Sequence, residues 1–228
     1  MADTPKIFPL GESALTIDFG NAISVDLNDK AIAAAGWFQN ERFPGFIEAV
    51  PAYSSVVVYF DLIEVRRHFS QYRTAFEAVL TIAQRSLNSL RHKTESDKRI
   101  VDIPVDFGNS SALDLDVISD QSGLPKHEVL DIFTATTYRV FMLGFLPGFA
   151  YMGEVDERIA IPRRDTPRLR VPKGSVGIAG RQTGVYPLES PGGWQIIGRT
   201  NAELFTPDKD ELCLLHAGDL VRFHPVSR

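Results

Sequence analysis

Cysteine is nearly absent from this chain. The single Cys213 excludes an intrachain disulfide and fits a reducing compartment, and its place in LCLL favours an inert, buried thiol over a nucleophile. No apolar run approaches the roughly 20 residues that span a bilayer, and MADTPKIFPLGES lacks the charged region and apolar core of a secretory leader. A cytoplasmic protein without a membrane partner is therefore expected. Phosphate cradles are missing too, since neither G-x-x-x-x-G-K-[ST] nor a helix-opening G-x-G-x-x-G occurs. Around Ser175 the order is KGSVG, with Lys173 where a hydrolase elbow needs glycine. The five histidines never recur at three- or four-residue spacing, so no metal site is expected. TPDKDE reads as a charged turn rather than a carboxylate pair.

What the chain does contain is ordinary globular composition, 44% hydrophobic and 23% charged, in 228 residues that suffice for two small domains. The net charge of -5 argues against nucleic acid as a partner. It is unevenly spread: from Arg158 to Arg181 seven basic residues face one acid, Asp165, making that window +6 and the remainder -11. A solvated basic face and an anion site both fit this pattern.

Periodicity outlines the order of elements. SALTIDF over 13–19 reads as a half-buried strand, 27–42 as a helix, and FIEAV with SSVVVYF as a hairpin across PAY. Apolar residues at helical spacing predict one amphipathic helix over about 65–90. The polar His92–Lys98 segment then marks a boundary, giving domains at 1–95 and 96–228. The first reads βαββα, which one further strand would complete as a ferredoxin-like α/β sandwich. The second carries helices at 113–121 and 125–135, the latter with Pro125 in its first turn, and then short strands YRVFMLGF, LRVP, SVGIAG, GVYPL, WQIIGRT and DLVRFHPV. Glycine and proline between them predict a closed or sandwiched antiparallel β domain, so the fold class is α+β.

Polar and aromatic groups cluster on the turns of that second domain. GFLPGFAYMG sets Phe145, Phe149 and Tyr151 around two glycines, and SPGGW places Trp194 after a glycine turn. Arginine supplies a planar fork for carboxylate or phosphate, and Gln182 and Tyr186 can orient an amide. A concave anionic-ligand site and a plain barrel core with hairpin glycines are both compatible with these residues.

The runs YRVFMLGFLPGFAYMG, IPRRDTPRLRVPKGSVGIAG, QTGVYPLESPGGWQIIGRT and GDLVRF, with GESALTIDFG and VPAYSSVVVYFD before them, resemble the allophanate hydrolase subunit 1 family. That family includes the B component of 5-oxoprolinase and the sporulation-kinase inhibitor Kip. The resemblance implies a ferredoxin-like N-terminal domain and a cyclophilin-like β-barrel with a carboxyltransferase-domain relationship. It further implies a non-autonomous subunit of a hetero-oligomeric, ATP-dependent 5-oxoprolinase. Its partners would be a homologous second subunit, of the type of the 5-oxoprolinase C component or allophanate hydrolase subunit 2, and, in that system, a third. ATP, as Mg-ATP at a site shared with the partner, would phosphorylate the lactam oxygen before water opens the ring to glutamate. On this reading Arg170, Lys173 and Ser175 are the catalytic candidates, and Arg168, Gln182, Tyr186, Trp194, Arg199 and Phe149 the substrate-binding ones. The alternative is a regulatory module that inhibits a sensor histidine kinase. A biotin-linked carboxyl-transfer role would need another polypeptide, because no biotin-carrier lysine motif occurs. One departure stands out: IFTATTYRV places Phe133 where relatives commonly carry histidine. Despite the family name no amidase activity is expected, because the glycine-rich double-serine loop of an amidase does not occur and Ser110-Ser111 in FGNSSAL is the adjacent serine pair of the second domain.

Overall fold

A computed structural model describes residues 4–90 and 99–226, so the expected boundary segment His92–Lys98 lies outside the described residues. The chain divides into two compact units, Met1–Asp97 and Lys98–Arg228.

The strands of the first unit are β1 Lys6–Pro9, β2 Ala14–Asp18, β3 Phe46–Pro51 and β4 Ser55–Phe60, and they form one antiparallel sheet in the order β1-β2-β4-β3. In β4 the alternation turns Val56, Val58 and Phe60 inward. There they meet Ala31, Ala34 and Phe38 of helix α1 (Val25–Asn40) and Ala78, Val79 and Ile82 of helix α3 (Ala75–Leu90). The expected hairpin forms as β3–β4, but β2 is buried along Ala14–Ile17 instead of on one face, because β1 and β4 flank it.

Two further expectations change. The fourth strand, β1, precedes the rest, so the chain runs ββαββαα rather than βαββαβ. The predicted helix at 65–90 is two helices, α2 (Leu62–His68) and α3. Asp61 caps α2 by accepting from the N–H groups of Ile63 and Glu64 at 2.8 and 2.9 Å. The Arg66 guanidinium then holds the intervening turn by donating to the Tyr72 carbonyl at 2.6 Å. At the start of α3 the Thr74 hydroxyl accepts from Glu77 N–H at 3.1 Å while the Glu77 carboxylate reaches back to Arg73 N–H at 3.0 Å. That is capping-box chemistry, and it fixes a helix start inside the apolar stripe.

Seven strands of the second unit share one sheet: β5 Ile100–Val105, β6 Thr137–Leu143, β7 Ala150–Gly153, β9 Ser175–Ala179, β10 Gln182–Val185, β12 Gln195–Arg199 and β13 Leu220–Pro225. Their order across it is β12-β9-β10-β7-β6-β13-β5. The two ends of the sheet approach each other where Asp106 and Arg199 exchange backbone hydrogen bonds of 2.7 and 2.9 Å, so the barrel is nearly closed. It is mixed, not antiparallel as expected: β5 and β13 run in the same direction, from Leu220 opposite Ile100 to Pro225 opposite Val105. A parallel pair needs a long crossover, and most of the unit separates these two strands. β8 (Arg168–Val171) and β11 (Ser190–Gly192) form a separate ribbon.

The helices of this unit are α4 (Leu115–Ser122) and α5 (Lys126–Ala135), with Pro125 as the residue before α5 rather than within its first turn. They deliver Ile118, Val129 and Phe133 to the same core as Ile103, Val176, Ile178, Ile197 and Phe223. Phe133 is fully buried and stacks on Phe223, with ring centroids 5.2 Å apart. Phe133, the departure noted in IFTATTYRV, is therefore part of an aromatic core.

Candidate functional site

Alternation along β9 and β12 gives the sheet two different faces. Val176, Ile178 and Ile197 point into the barrel core, while Ala179 and Ile196 belong to a second cluster with Phe149, Val171, Tyr186 and Trp194. Four rings meet there edge to face: Phe149 lies 4.9 Å from Tyr151 and 5.4 Å from both Tyr186 and Trp194. The positive ring edges meet negative ring faces in this arrangement, which orients every ring in the group. Phe145 adds a fifth ring 5.6 Å from Phe149, with 60% of its surface exposed and a left-handed backbone (φ 69). Such a conformation disfavours a bulky side chain, yet here it presents the ring at the rim of the cluster.

Glycine at 192 serves close approach rather than a special turn, since its φ is not positive. A Cβ there would fall on the Tyr186 ring, with ring carbons only 2.8 Å away. Burial raises the Tyr186 phenol above its ordinary pKa, while its bond to the Trp194 backbone and the nearby Arg163 and Arg168 charges act in the opposite direction.

The basic window looks different once folded. Arg158 pairs with Asp156, Arg170 with Glu189 at 2.7 Å, Lys173 with Glu203 at 3.0 Å, and Arg181 with Glu154 and Glu157. Arg164 and Arg168 share one carboxylate, Asp114, which is 1% exposed and lies at the start of α4. Arg168 makes a fork of 2.7 and 2.8 Å with it, Arg164 adds 2.9 Å, and the Ile196 N–H of β12 donates at 2.6 Å. Among the described residues, Arg163 and Arg199 have no carboxylate at ion-pair distance. Arg163 lies over the Trp194 ring, 5.9 Å from its centroid, and Arg199 donates to the Lys173 carbonyl at 2.9 Å.

The nine residues singled out by sequence thus fall into separate places. Phe149, Tyr186 and Trp194 come together as the aromatic cluster, with Arg168 close enough to influence Tyr186 but engaged by Asp114. Lys173, Ser175 and Arg199 gather instead where β9 pairs with β12, Ser175 buried opposite Arg199. There Gly174, at φ +83, has no room for a side chain against the Thr200 carbonyl. Gln182 opens β10 opposite Ala179 and Gly153, and Arg170 is an exposed member of its surface pair. Cys213 is half-buried, not fully enclosed. Sequence reasoning did not single out Arg163 or Asp114. Asp114 fell inside the helix expected at 113–121, whereas it stands just before α4, makes no side-chain cap bond there, and finds its partners 50 to 82 residues away.

A family profile described as carboxyltransferase domain, subdomain C and D, matches residues 5–215, and the chain belongs to this family, bearing out the resemblance to allophanate hydrolase subunit 1. The chain is 44% identical to the B component of 5-oxoprolinase from Bacillus subtilis, over 97% of this chain and 93% of that protein. It is 37% identical to the like-named protein from Escherichia coli O157:H7, over 96% and 95%. Among solved structures, TTHA0988 superposes with a TM-score of 0.78 at 32% identity, covering 94% of this chain. The chain spans 40% of that longer one.

Proposed function

We propose that this chain is the B-type component of an ATP-dependent 5-oxoprolinase, inactive alone and completed by a homologous second subunit, with a third subunit in the assembly. The observation that carries this reading is near full-length similarity to proteins named as the B component of 5-oxoprolinase. The aromatic cluster supports it, because the planar amide and the ring C–H groups of a five-membered lactam suit contact with aromatic side chains and its one carboxylate suits an arginine.

Of the four basic residues that could clamp a phosphate or carboxylate, Arg168, Arg170 and Lys173 pair with Asp114, Glu189 and Glu203, and Arg199 donates to the Lys173 carbonyl. Among the described residues no group of three His, Cys, Asp or Glu is gathered to hold a metal ion. Magnesium in nucleotide sites is held by one or two carboxylates together with the phosphates themselves, so on this reading Mg-ATP binds at a site shared with the partner, and this chain's aromatic cluster binds and orients the lactam. The Tyr186 hydroxyl, protonated at neutral pH like any phenol, is the hydrogen-bond donor offered to the lactam, and the packed rings exclude water around it.

The test is reconstitution. The purified chain, alone and with its homologous partners, is assayed for 5-oxoproline-dependent release of phosphate and glutamate. Turnover only in the assembly is the expected result. A correctly formed assembly without turnover, or recovery of a sensor kinase in place of the partner subunits, would reject the reading.

A further inference from the structure

The backbone that carries Arg163 is held on both sides by the residues around Trp194. The Pro162 carbonyl accepts from Gln195 Nε2 at 3.3 Å, and Arg164 N–H donates to the Gly193 carbonyl at 2.8 Å. The Arg164 side chain then binds Asp114, whose other oxygen accepts from Ile196 N–H. Residues 193, 195 and 196, which bracket Trp194, therefore all anchor the segment that sets a guanidinium against its ring.

Charge completes the picture. Asp114 offers one negative charge to two arginines, and Arg163 adds another cation with no carboxylate of its own among the described residues. An exposed guanidinium at the rim of a largely buried indole, weakly hydrated and with its N–H groups unspent on acids, is placed to take an anion that reaches the edge of the cluster.

We infer that Arg163 is the carboxylate-recognition residue of the aromatic site, that Asp114 is the positioning residue that presents it, and that the ligand is a small ring bearing one carboxylate. The choice of 5-oxoproline as probe rests on the proposed function; the carboxylate class rests on the geometry alone.

The experiment follows the Trp194 indole N–H resonance of the full-length chain, assigned by its loss in Trp194→Phe. The titrants are L-5-oxoproline, 2-pyrrolidinone (the same ring without the carboxylate), benzoate and inorganic phosphate. For the native chain, 5-oxoproline shifts the resonance and binds at least about tenfold more tightly than 2-pyrrolidinone, the increment of a charged hydrogen bond. Arg163→Met removes that preference, Arg163→Lys restores part of it, and Arg158→Met, which alters an arginine outside the site, leaves it intact. Asp114→Asn lowers the preference for acid over neutral lactam, where a merely structural role would weaken both equally.

Equal binding of acid and lactam, or an unchanged preference in Arg163→Met, overturns the assignment while leaving the oxoprolinase reading intact. An Arg163-dependent response to benzoate but none to 5-oxoproline keeps the carboxylate site and rejects the oxoprolinase substrate. A response to phosphate alone, or no response to any titrant, overturns the proposal.

Discussion

The two faces of the β9–β12 region use the same strands for different ends. Inward, Val176, Ile178 and Ile197 join an aliphatic core closed by Phe133, Tyr138 and Phe223. Outward, Ala179 and Ile196 support a layer of Phe149, Tyr186 and Trp194 with a guanidinium at its edge. Aliphatic groups fill space without directional demands, whereas rings with polar tips combine burial with orientation. The inner face can thus be altered only at the expense of the fold, and the outer face is where we place the recognition chemistry.

The sharpest way to separate the faces is Phe133→Ala. Removing a fully buried ring from the inner core should destabilise the protein by about 3–5 kcal/mol in urea unfolding. The milder Phe133→Leu should fold and leave lactam binding within about twofold, because its effect stays in the packing. A large binding loss in folded Phe133→Leu would break the distinction between the faces.

Next in size is Asp114→Ala, which strands two arginines around a buried void. Both guanidinium groups are partly exposed, so the cost should be about 2–3 kcal/mol rather than that of a fully buried pair, again by urea unfolding. A smaller effect is expected from Gly192→Ala, whose methyl must displace the Tyr186 ring, costing about 1–3 kcal/mol. Unlike Phe133→Leu, it should abolish the ligand response of Trp194, measured by indole fluorescence or resonance.

The smallest effect concerns pH. Burial raises the Tyr186 phenol, so the folded chain holds that proton more tightly than the unfolded chain does. Its contribution to stability is full below the ordinary value of 10.0 and is lost as pH rises through the higher folded value. In an ultraviolet ionisation titration, Tyr186→Phe should lack a step that the native protein shows above pH 10.0; a step missing below it would contradict the burial argument.

Much of this architecture was legible where local pattern and environment agree. The alternation in SSVVVYF and SVGIAG becomes β4 and β9, and the glycines of SPGGW do stand beside a buried tryptophan. The division of 65–90 into two helices was also written in the chain, as Thr74 and Glu77 at capping-box spacing, but the continuous apolar stripe concealed it. β1 and β11 carry too few residues for a periodic signal and exist through pairing with β2 and β8.

The site was harder to read because its electrostatics is non-local. A count of charge along 158–181 cannot show that Glu189, Glu203 and Asp114 return to occupy Arg170, Lys173, Arg164 and Arg168. Pairing through space turns a broad basic stretch into one available guanidinium beside a tryptophan. That selection depends on strand register and on where α4 begins, neither of which composition encodes.

The most direct test of the account is a crystal structure of the chain with its partner subunits and 5-oxoproline. The account predicts the lactam ring against Trp194, its carboxylate within hydrogen-bond reach of Arg163 and the Asp114 pairs unchanged. A ring bound in a catalytically active assembly away from Trp194, with Arg163 free of it, would contradict the account.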